Sequence, residues 1–286
     1  MKNRNANVQR AQANAGFTLV ELLVVIAIIG IFVMAMMPAI QASRESARRV
    51  QCDRNIGQLA AAAMEYELAS GSFPAGTTMN SEGPVENVAS PDVLHHSWIV
   101  QLLPYLDEPA AADRIDPAVS VYDERHQQVR ELQPAILSCA SSRTEVNAAS
   151  PGSSYAGVHH HLSGPIDQSN AGILYLNSRT KRSDIKDGLQ YTMLLGEKVV
   201  AKKTLGWMSG THATLRNTGV PFDVDDYKAW ADPFYVGGFS SRHPGGVIFA
   251  FANGSTSLIE HGIDPQIYQQ LANRADGELV DAREVK

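Results

Sequence analysis

The chain has 286 residues, a formal net charge of -6 and an ordinary apolar fraction of 44%. That is enough for one large folded body or two small ones, and it argues against intrinsic disorder. No basic stripe interleaved with aromatics appears, so nucleic acid is not an expected partner. The two cysteines, Cys52 and Cys139, are too few for a disulfide scaffold and too far apart in sequence for a zinc knuckle.

Residues 1 to 16 are polar, carry Lys2, Arg4 and Arg10, and contain no acid. An apolar run from Phe17 to Met37 follows, interrupted by Thr18, Glu21 and glycine. As a helix, a run of that length roughly spans a hydrocarbon core. A cleaved secretory signal would need a shorter core and a small-residue cleavage site, for which Pro38–Ala42 is a poor match. A core helix of a soluble protein would be shorter and less uniform. A plain single-span anchor remains as the bland membrane reading, and it leaves Glu21 unexplained. An acid at the centre of a span costs roughly 2.5–3.5 kcal/mol.

Gly16-Phe17-Thr18-Leu19-Val20-Glu21, followed by unbroken apolar sequence, resembles the type IV prepilin processing signal. The resemblance implies that a membrane-embedded prepilin peptidase cuts on the cytoplasmic side between Gly16 and Phe17. The new amine of Phe17 would then be N-methylated, and the apolar segment would stay on the protein. Glu21 lies about one helical turn from that amine. In a low-dielectric assembly the carboxylate of one subunit can pair with the amine of a neighbour and set register. Snorkelling of Glu21 to the near headgroups is the competing reading. Pro38, at the far end of the run, removes one helix hydrogen bond and permits a kink or local melting. The resemblance also places the body outside the cytoplasm, with membrane lipid and other pilin-like subunits as contacts of residues 17 to 37. Charge alone does not decide the orientation, because Arg44, Arg48, Arg49 and Arg54 follow the span.

Residues 38 to 70 keep helical composition, and Cys52, Ile56, Leu59, Ala63 and Tyr66 form a single apolar stripe. Arg44, Arg48 and Arg49 form a collar that suits either solvent or lipid headgroups. Gly71 to Gly76 stop the helix. Residues 77 to 95 read as loop, Trp98–Leu106 as a short apolar helix, 107 to 133 as partly helical, and Ala135–Cys139 as a short strand. Strands are expected at Ser154–Val158, Gly172–Leu176, Gln190–Glu197, Gly246–Ala252 and Ser255–Glu260, with a hairpin at Asn253-Gly254. A short closing helix follows Asp264. The fold class is α+β: one long helix on an antiparallel sheet, pilin-like, with a body over 71–286. Cys52 on the buried stripe and Cys139 at the end of an apolar segment are expected to form a disulfide in an extracytoplasmic body, the alternative being two unpaired thiols.

Gly71-Ser72-Phe73-Pro74, Ser97–Leu106, Ser154-Tyr155-Ala156-Gly157, Asp184–Gly188, Leu195–Lys198 and Ser241–Gly246 together are similar to a bacterial family. Its members join a prepilin-type N-terminus to a pilin-like body of unknown function with a His-x9-Asp-Gly motif. His243 opens that motif here, and Asn253-Gly254 stands where the family has Asp-Gly. Asparagine would weaken a metal ligand or general base but serves a tight turn equally well. The motif is therefore read as structural, with His243 bonding a turn or capping the hairpin.

The remaining clusters point to no chemistry. His159-His160-His161 alternate faces on an extended chain and seldom converge on one ion. Asp223, Asp225 and Asp226 lack the glycine and distal glutamate of an EF-hand. Glu197 beside Lys198 reads as a surface pair. No nucleophile elbow, phosphate loop or dinucleotide fingerprint is present. The expectation is a non-enzymatic structural subunit of a pilus-like or secretion pseudopilus-like assembly, without cofactor or metal. The alternative is a membrane-tethered binding module that does not polymerise.

Overall fold

A computed structural model describes residues 17–106, 108–142, 150–200, 204–222, 232–278 and 280. The chain divides into two compact units, Met1–Ser46 and Ala47–Lys286. Helix α1 runs from Leu19 to Ser70 and includes Pro38 within its length. In the first unit it is apolar on every side: Leu22, Leu23, Val24, Val25, Ile26, Ile28, Ile29, Phe32 and Val33 are all exposed. A helix without a polar face needs lipid or other apolar helices around it. Helical structure continues through Pro38.

In the second unit α1 is one-sided. Cys52, Asn55, Ile56, Leu59, Ala60, Ala63 and Glu67 are buried, which matches the stripe read from the sequence. Gly71, with φ +82, ends the helix, as a left-handed residue at that place does.

The first short elements of the body are β1 (Thr77–Thr78) and β2 (His96–Ser97), which pair antiparallel. Helix α2 (Trp98–Leu102) follows and continues into a 3₁₀ turn at Leu103–Tyr105, where Pro104 fits the first helical turn. Helices α3 (Pro109–Ala112) and α4 (Gln127–Arg130) are single turns. The strand expected at Ala135–Cys139 is instead a 3₁₀ turn at Ala135–Leu137, entered from the extended Pro134.

The main sheet has five strands in the order β5-β3-β4-β6-β7: β3 Tyr155–His160, β4 Met193–Glu197, β5 Leu215–Asn217, β6 Gly246–Phe251 and β7 Thr256–Glu260. Pairing is antiparallel except between β3 and β5, which run parallel. The run Gly172–Leu176 is not a strand. Its bonds are divided: Gly172 and Leu174 donate to the His159 and Val158 carbonyls, and Leu176 bridges Thr77.

Alternation along β6 sorts the core into two layers. Ile248, Ala250 and Ala252 join the cluster that holds Ile56, Leu59 and Ala63 of α1, while Val247, Phe249 and Phe251 face a second cluster with Phe239, Tyr268 and Leu271. Tyr268 and Leu271 lie in and just after α5 (Pro265–Gln270), whose N-terminus is capped by the Asp264 carboxylate accepting from Gln266 and Ile267 N–H. The sheet is thus covered on both faces, the α+β arrangement expected of a pilin-like body.

Candidate functional site

The expected cleavage bond begins at Gly16, which lies outside the described residues. On its other side Phe17 is 71% exposed. Thr18 and Glu21 bind each other reciprocally. The Thr18 N–H and hydroxyl both donate to Glu21 Oε2, at 2.9 and 2.7 Å, and the Glu21 N–H donates to Thr18 Oγ1 at 3.2 Å. This is the capping-box pattern, for which Thr-x-x-Glu is the sequence signal. That signal stands at residues 18–21, within a segment whose apolar character draws attention to the membrane and to neighbouring subunits instead. In the isolated chain the carboxylate therefore organises the first turn of α1.

The two ends of the His-x9-Asn-Gly motif do not meet. His243 precedes β6 and Asn253-Gly254 follows it, so roughly 20 Å of strand separates them. At the far end, Asn253 Oδ1 accepts from the Ser255 N–H at 3.0 Å and from the Ser255 hydroxyl at 2.7 Å. Gly254 has φ +85, and a Cβ there would stand 2.8 Å from Met64 Sδ on α1. Asn253-Gly254 thus forms the tip of the β6–β7 hairpin, as expected.

His243 does not cap that hairpin. It is buried, with Nε2 3.4 Å from Cys139 Sγ and 3.4 Å from Glu197 Oε1. Cys52 completes the group. One donor atom from each of Cys52, Cys139, Glu197 and His243 lies within 4.8 Å of every other. The four come from α1, the segment after the Ala135–Leu137 turn, the end of β4 and the loop before β6. The surface pair expected at Glu197 and Lys198 is instead buried, at 2% and 3% exposure.

The sulfurs are brought together, but as two free thiols and not as the expected disulfide. They share their neighbourhood with an imidazole and a carboxylate, which a plain disulfide does not require. Supporting bonds hold the cluster in place. Glu197 Oε2 accepts from the Ser241 hydroxyl at 2.9 Å and the Ile248 N–H at 3.1 Å, while Oε1 has no hydrogen bond. The Cys139 N–H donates to Ser154 Oγ, Tyr155 OH donates to the Cys52 carbonyl, and Asn55 Nδ2 donates to the Ser138 carbonyl. The Cys139 thiol, followed by His243, favours thiolate at Cys52 and draws its pKa down to about 4 against the opposing effect of burial. Cys139 is pushed up by its bond to Cys52, by burial and by the Glu197 carboxylate.

His159 and His160 lie on β3. His159 Nδ1 bonds Asn170 Oδ1 at 2.8 Å, and His160 Nδ1 accepts from the Ala171 N–H at 3.0 Å. Their first ring nitrogens thus serve the fold. Asp223, Asp225 and Asp226 lie outside the described residues.

Comparison with known families gives two matches. The model described as a protein of unknown function (DUF1559) matches residues 41–266. The prokaryotic N-terminal methylation motif matches residues 12–37. No curated protein and no solved structure matches the chain.

Proposed function

The chain belongs to the DUF1559 family and carries the prokaryotic N-terminal methylation motif, and from that premise we propose that it is a prepilin- or pseudopilin-like subunit. Residues 1–16 are the leader, cut between Gly16 and Phe17 by a prepilin peptidase that also methylates Phe17. Residues 17–37 hold the chain in the cytoplasmic membrane, residues 38–70 continue the helix, and the body from residue 71 lies outside the cytoplasm. The observation that carries this reading is the methylation motif on a helix whose apolar side chains are exposed all round. Such a helix is suited first to lipid and then, on extraction into a filament, to the equivalent helices of other subunits. The motif is that of structural subunits and not of enzymes.

The capping box sharpens the role of Glu21. Within one chain the carboxylate already accepts two hydrogen bonds from Thr18, so its fourfold lone-pair capacity leaves room for the methylated amine of a neighbour. Glu21→Ala tests this. In-membrane cross-linking between subunits should fall sharply in the variant while processing at Phe17 continues. Cross-linking at the level of the unaltered chain would overturn the assembly role. Glu21→Gln separates the two functions, because it keeps an acceptor for Thr18 and removes the charge that the amine needs.

A further inference from the structure

We propose that Cys52, Cys139, Glu197 and His243 bind one zinc ion that staples the buried half of α1 to the sheet. The site is independent of whether the subunit polymerises. Its residue set, two thiolates, an imidazole and a carboxylate, consists of ordinary zinc ligands. Zinc–sulfur bonds of about 2.3 Å and zinc–nitrogen and zinc–oxygen bonds of about 2.0–2.1 Å, arranged tetrahedrally, put sulfur and nitrogen about 3.5 Å apart and nitrogen and oxygen about 3.4 Å apart. The observed separations are 3.4 Å for Cys139 Sγ to His243 Nε2 and 3.4 Å for His243 Nε2 to Glu197 Oε1. The whole set is confined within 4.8 Å.

A second observation points to a cation. Glu197 is 2% exposed, and its Oε1 faces the cluster without a hydrogen bond, although its other oxygen is fixed by Ser241 and Ile248. A buried carboxylate oxygen with no hydrogen bond, and an imidazole nitrogen 3.4 Å away, is under-satisfied at a cost. Coordination resolves that cost, and the bonds to Oε2 are the outer-shell support that ligating carboxylates ordinarily have. A Cys52–Cys139 disulfide would use both sulfurs and leave Glu197 and His243 facing an uncharged bridge. Binding displaces whatever proton the sulfurs still hold, and the ion balances the thiolate charge.

Four protein donors close the coordination shell, so the ion has no position for substrate and its role is structural. Near the cluster α1 is tied to the body by the hydrogen bonds of Tyr155 to the Cys52 carbonyl and of Asn55 to the Ser138 carbonyl. The metal therefore fixes the geometry with which α1 enters the body, and metal supply would govern folding of the body.

The test uses the full-length protein in detergent, purified without chelator. Elemental analysis should give one zinc per chain, and exchange with Co2+ should give the intense visible absorption of a tetrahedral thiolate-bound ion. Cys139→Ser and His243→Ala should lose the metal. Should they fail to fold, Glu197→Gln keeps an acceptor for Ser241 and should give up zinc to a chelator far faster than the unaltered chain. Metal-free protein with Cys52 joined to Cys139 in non-reducing peptide mapping would overturn the proposal. So would metal-free protein with two free thiols, or zinc content and retention unchanged in the variants.

Discussion

Gly254→Ala and Asn253→Asp separate the two meanings that the second half of the motif could carry. Gly254 sits at φ +85, where a residue with a Cβ costs roughly 1–2 kcal/mol. The added carbon would also meet Met64 Sδ at 2.8 Å. That contact is relieved by moving a flexible thioether, at a further cost of up to about 1 kcal/mol. The sum is about 2 kcal/mol, which for a body of this size lowers Tm by roughly 4–8 °C. Asn253 works through Oδ1, which accepts from the Ser255 N–H and hydroxyl. Aspartate offers the same acceptor, so Asn253→Asp should stay within about 0.5 kcal/mol of the unaltered chain. Thermal unfolding of the detergent-solubilised protein, followed by near-UV circular dichroism, reads both. A Tm unchanged in Gly254→Ala, or lowered as far by Asn253→Asp, would refute a purely turn-forming role.

Acid should destabilise the body well before its carboxylates titrate. Burial holds His95 at about 4, His159 at about 3 and His212 at about 3, below the unfolded value of about 6.5. Their stabilising contribution is complete above pH 6.5 and is lost as pH falls toward those folded values. The unfolded chain then binds more protons, and each histidine removes about 1.4 kcal/mol per pH unit. Urea midpoints should drop steeply between pH 6.5 and 4, and a flat profile there would contradict the neutral burial of these rings. Trp98→Phe should cost about 1–3 kcal/mol, because it removes the indole N–H that reaches the Thr214 carbonyl at 2.8 Å, leaving it the Gly157 N–H, and empties part of a fully buried site. An unchanged urea midpoint at neutral pH would show that neither the bond nor the lost volume matters.

The long helix and the hairpin were legible because their signals are local. A uniform apolar run, the Cys52–Tyr66 stripe and Asn-Gly between two strands each fit within a few turns or residues of sequence. The strands β1, β2 and β5 were not legible. They are two or three residues long and are defined by distant partners, so no periodicity builds up. The run 172–176 showed the reverse failure: strand-like composition whose backbone bonds go to different neighbours. The donor cluster was hidden most completely. Each of its members had a bland local reading: a stripe cysteine, a cysteine at the end of an apolar segment, a surface glutamate and a turn histidine. Their chemistry exists only once α1, β4 and the approach to β6 are folded together. His243 drew attention through the family motif, but the motif pointed along the chain to Asn253 and not across the fold to Cys139 and Glu197.

Processing at one bond is what makes this chain a prepilin-like subunit. Intact mass and N-terminal peptide mass spectrometry of the protein purified from its native membrane measure this directly. The prediction is a mature chain that begins at Phe17 and carries one methyl group on its amine. A chain beginning after Ala42, or one still carrying residues 1–16 in the presence of an active prepilin peptidase, would contradict it.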